Sequence, residues 1–114
     1  MTTYTQPMTS APEVEVRQIR RNEMLLRCGE VSCHAIYHRG ALRGRLFIPG
    51  DDARRLNVRP ITPEQFESEA HRLVRQGWAM LEVARRHGLR VADLVVVGGD
   101  PTTTFVETYE EVEA

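Results

Sequence analysis

Between Ile61 and Leu89 the chain carries a full set of helix start and stop signals, and a helix of that length dictates what else must fold around it. Thr62 suits an N-cap, Pro63 suits the first helical position, and Gln65 stands where a capping box needs it. Ile61 and Phe66 occupy the two positions of a hydrophobic staple. At the other end Gly88 suits the left-handed C′ position, with Leu89 packing back toward Ala84. A helix from Pro63 to His87 is about 37 Å long at the usual rise. Phe66, Ala70, Leu73, Gly77, Met80, Leu81 and Ala84 share one stripe, and Glu64, Arg72, Arg75, Glu82 and Arg86 fall outside it. An apolar stripe of this kind needs a second layer to cover it.

The residues before the helix read as that layer. Glu13 to Ile19 has Val14, Val16 and Gln18 on one face, with Arg17 and Ile19 on the other. Arg21-Asn22-Glu23 is a turn, and Met24 to Cys28 is a second strand. Gly29-Glu30 breaks it, and Val31 to His38 is a third. Arg39-Gly40 and Arg43-Gly44 bracket a short connection to a fourth strand, Arg45 to Ile48, which Pro49-Gly50-Asp51-Asp52 closes. After the helix, Val91 to Val97 has the unbroken apolar run of a central strand, Gly98 to Pro101 is a turn, and Thr102 to Tyr109 is a last strand. The expected fold is α+β: an antiparallel β-sheet in the order ββββ-α-ββ, with one long amphipathic helix packed across a face. Residues 1–12 read as a polar lead-in, 13–109 as a single domain and 110–114 as an acidic tail. A chain of 114 residues is long enough for one core without metals or disulfides. Residues 1–12 do not have the make-up of a signal peptide, and no apolar run is long enough to span a bilayer. With only two cysteines, a cytoplasmic or virion-associated protein is expected.

Charge is the second strong feature. All fifteen basic residues are arginines lying between Arg17 and Arg90, where they meet eight carboxylates. The flanking stretches are acidic, so a net charge of −1 conceals a basic middle between two acidic ends. GC-rich coding, as in a high-GC bacterium or phage, accounts for the absence of lysine. Selection for the planar guanidinium fork, which grips phosphates and carboxylates, is the functional alternative. The candidate binding residues are Arg17, Arg20, Arg21 and Arg27 on the first hairpin, Arg39, Arg43 and Arg45 around the next turn, and Arg54, Arg55 and Arg59 before the helix. Binding a polyanion requires them to converge on one surface, ideally with aromatic side chains among them.

Signals for chemistry are weaker. Cys28, Cys33, His34 and His38 are the only residues with the look of metal ligands. On a strand, however, His34 and His38 stand roughly 13 Å apart and Cys33 faces the other side. The same alternation prevents His34 from activating Cys33 as a nucleophile. Gly98-Gly99-Asp100 leads into β-branched residues rather than the helix a phosphate loop needs, and Asp51-Asp52 lacks further ligands for Mg²⁺. Trp78 lies on the flank of the helix stripe with His71, Arg75 and Arg85. Buried, it roofs the core. Exposed, it and its neighbours have the make-up of an interface hot spot. The resulting expectation is a non-catalytic binding or accessory protein, without a cofactor, that engages a nucleic acid or an acidic protein surface through its arginines. The alternatives are a subunit of a homo-oligomer or virion-like assembly and, with least support, a small metal- or cysteine-dependent enzyme.

Overall fold

Alternation of apolar and polar residues sends every second side chain of residues 23–38 to the same side, and the chain responds by folding into tight hairpins. The computed structural model describes Thr3–Tyr4, residues 11–96 and Tyr109–Glu111. Strands β1 (Thr3–Tyr4), β2 (Glu15–Arg20), β3 (Glu23–Cys28), β4 (Val31–His38), β5 (Ala41–Phe47) and β6 (Arg54–Val58) precede helix α1 (Pro63–Arg86). A short 3-10 turn (Val91–Asp93) and strands β7 (Leu94–Val96) and β8 (Tyr109–Glu111) follow it. β2 to β6 form a five-stranded antiparallel sheet in simple chain order, and α1 packs on β3, β4 and β5. The α+β architecture expected from the sequence is therefore present.

Several local expectations are corrected. The main sheet has five strands before the helix, not four. β6 escapes a sequence reading because only Leu56 and Val58 are apolar in Arg54–Val58, and its strand conformation comes from pairing with β5. Arg43-Gly44 is no connection but the middle of β5, opposite Ala35. Gly44 has φ +146°, and a Cβ there would lie 1.8 Å from the His34 carbonyl oxygen, so the glycine marks a close backbone approach rather than a turn. Val91 to Val97 is not a central strand. Its first part winds into the 3-10 turn, where the Asp93 carboxylate accepts hydrogen bonds from the Arg90 backbone N–H (3.3 Å) and guanidinium (3.2 Å). β7 is an edge of a separate three-stranded sheet ordered β1-β8-β7, which draws together Thr3–Tyr4 and the acidic Glu110 and Glu111. The turn expected at Gly98–Pro101, and residues 102–108 of the last expected strand, lie outside the described residues.

The helix ends are built as the sequence anticipates. Thr62 N–H donates to the Gln65 side chain (3.0 Å), and Ile61 and Phe66 are both buried. Gly88, with φ +65°, and Leu89 close a Schellman motif: Gly88 N–H reaches Arg85 O (3.2 Å) and Leu89 N–H reaches Ala84 O (2.8 Å). Burial along α1 is wider than one stripe, for Val74, Gln76, Trp78, Ala79 and Val83 are buried as well. Gly77 lets the helix approach the sheet. A Cβ there would meet Val31 Cγ1 at 2.9 Å and both Leu46 methyl groups at 3.2 Å. The core between the layers contains Met24, Leu26, Cys28, Val31, Cys33, Ala35, Leu42, Leu46 and Leu56 from the sheet.

Candidate functional site

α1 covers one side of the main sheet, the other side is left open by the described residues, and the strand registers decide which side chains populate it. One row runs Arg17, Leu25, His34, Arg45, Arg55 across all five strands. Toward one end of the sheet, a second row runs Arg20, Glu23, Ile36, Arg43, Asn57. Toward the other end, a third runs Glu15, Arg27, Ser32, Phe47. Neighbouring strands lie about 4.8 Å apart, so the central row spans about 19 Å. Six of the ten candidate arginines thus meet on this face: Arg17, Arg20, Arg27, Arg43, Arg45 and Arg55. The other four do not. Arg21 and Arg39 are exposed in turns, Arg59 is exposed ahead of the helix, and Arg54 points to the helix side and binds Asp51 (2.6 Å).

Only two carboxylates share the face among the described residues. Glu15 pairs with Arg27 at 2.6 Å. Glu23 is hydrogen-bonded to His34 at 2.7 Å and lies 3.7 Å from Arg20. Arg17, Arg43, Arg45 and Arg55 make no ion pair among the described residues. Arg45 and Arg55 stand directly opposite each other in the β5–β6 register, an arrangement that costs stability when nothing neutralises it. Between these cations the face is partly apolar. Leu25 is 40% exposed and Phe47 43%, and a shallow depression of about 490 Å³ lies over Leu25, Ser32, His34 and Phe47. Sequence reading groups the arginines by neighbourhood along the chain, passes over Phe47 and Leu25, and takes His34 only as a candidate metal ligand. Strand parity across the registers is the signal that regroups them.

The remaining candidates sit elsewhere. Trp78 is buried, its indole ring against Gly29, so it is not an exposed hot spot in the single chain. Arg85 forms an ion pair with Glu30 in the β3–β4 turn, and each holds the other's charge, raising the Arg85 pKa and lowering that of Glu30. Arg75 is exposed and close enough to Cys28 to favour its thiolate, though burial of that thiol outweighs this and raises its pKa. His71 is partly buried with Glu67 at 3.8 Å. This flank of the helix thus clasps the β3–β4 turn. Cys28 and Cys33 are free, buried thiols on the helix side of the sheet, and His34 is on the open side. Burial pushes the Cys33 thiol up to about 12. No group of three or more metal-ligating side chains converges among the described residues. No helix among them is long and apolar enough to cross a membrane. Comparison with protein families, with curated proteins and with solved structures returns no match.

Proposed function

We propose that this protein is a non-catalytic binding protein that holds an anionic partner against the open face of its main sheet. The observation that carries this reading is the apposition of Arg45 and Arg55 beside Arg43, with no carboxylate among the described residues to neutralise them. Like charges facing each other on a sheet destabilise it, and a local cost of this kind is characteristic of a functional surface. An anion placed over the three guanidiniums would relieve the repulsion and accept charge-assisted hydrogen bonds from each. A catalytic reading has less behind it. The Cys33 thiol stays protonated, and its neighbour His34 lies on the opposite side of the sheet.

The test is retention on immobilised heparin at low salt. A chain of net charge −1 should pass through, yet this one should be held and eluted by salt. Reversing both charges in R45E/R55E should abolish retention, since each charged hydrogen bond contributes about 1.5–3 kcal/mol. Equal elution of the reversed and unaltered proteins would sink the proposal.

A further inference from the structure

We infer that the partner on the open face is a single-stranded nucleic acid, with one base stacked on Phe47. This rests on the anion-binding reading above and narrows it. The arginines alone call only for negative charge. Phe47 adds a demand for something flat and apolar, because its phenyl ring, 43% exposed on a face lined with arginines, leaves a large apolar surface open. It sits two residues from Arg45 on the same strand and the same face, so a nucleotide whose base covers the ring brings its phosphate within reach of the guanidinium. Ser32, opposite Phe47 in the β4–β5 register, and His34, opposite Arg45, supply hydrogen-bonding groups beside the ring.

The shape of the face argues against the competing polyanions. A duplex major groove about 12 Å wide admits a helix or a two-stranded ribbon. A face about 19 Å across does not enter it, and a duplex lying on top would leave its bases stacked away from Phe47. An extended acidic peptide usually joins a sheet along its edge. Here Phe47 and Arg45 are on β5 and His34 is on β4, both interior strands, so the stacking ring and its immediate neighbours lie away from the edge, with Arg55 on the edge strand β6 beside them.

The full-length chain is titrated into fluorescein-labelled oligothymidylate and competed with unlabelled oligothymidylate, with a duplex of the same length and with polyglutamate. The single strand should compete best. Phe47→Ala and Phe47→Leu should both weaken the single strand by about 5- to 150-fold, the usual worth of one stacked base, while polyglutamate affinity stays unchanged. Phe47→Trp should restore the single-strand affinity. Emission from buried Trp78, the single tryptophan, verifies that the alanine and leucine variants are folded, circular dichroism does so for the tryptophan variant, and the leucine variant retains bulk should the alanine one unfold. Unaltered single-strand affinity in a folded F47L overturns the inference and leaves anion binding standing. So does equal competition by the duplex or by polyglutamate. Full single-strand affinity in R45E/R55E instead removes the anion-binding reading itself.

Discussion

Single residues in this protein show how burial decides chemistry. Cys33 and His34 are neighbours in sequence, yet strand alternation gives one a dry core and the other an open surface. With its pKa raised by burial from 9.0 to about 12, Cys33 makes folding sensitive to alkali. The unfolded chain ionises the thiol first, so this contribution to stability is complete below about pH 9 and is lost as pH climbs toward 12. Urea denaturation at rising pH should record that decline, and C33A should make it shallower. The Cys28 thiol, whose pKa burial also raises, contributes to the same decline, so C33A should remove only its own share. In the same folded protein, iodoacetamide at neutral pH should leave Cys33 unmodified in the mass spectrum, whereas urea should expose it. Gly44 is the steric counterpart. Its substitution by alanine drives a methyl group into the His34 carbonyl, and a loss of about 3 kcal/mol is expected in the same denaturation assay.

Elements differ in how firmly they are held. Every residue of β2 is exposed, and α1 packs on the three strands beyond it. Hydrogen exchange should therefore open β2 amides well before those of β4, which is buried beneath the helix. The helix end offers a second check. Forcing a side chain into the left-handed conformation of Gly88, as G88A does, should cost about 1 kcal/mol in thermal unfolding. Both helix boundaries were legible in the sequence because Thr62, Pro63, Gln65 and Gly88 act within a few residues of themselves. β6 was not, since Arg54–Val58 is a strand only through β5, a partner no local pattern announces. The site is legible to the same degree. That arginines dominate the middle of the chain is plain from composition, but which of them share a face depends on registers. The misread of Gly44 as a turn would have put Arg45 at the start of a strand rather than between His34 and Arg55.

On the scale of the whole molecule, the chain divides its labour between two sides of one sheet: a helix side that supplies stability and an arginine side that supplies charge. Under the proposed single-strand binding, four guanidiniums unmatched among the described residues would each displace a counterion, so log affinity should fall against log salt with a slope of about −3. A titration series in rising salt measures it, and each arginine removed should make the slope shallower by about 0.7. The same division has a consequence during synthesis. All five strands of the sheet leave the ribosome before the helix that covers them, with Leu26, Leu42, Leu46 and Leu56 facing nothing in the meantime. At about 5–20 residues per second, the stretch from Val58 to Arg86 takes about 1–6 s to make. A ribosome that stalls within it holds out a half-clad slab, so the hazard of aggregation falls in those seconds of translation rather than in the life of the finished protein.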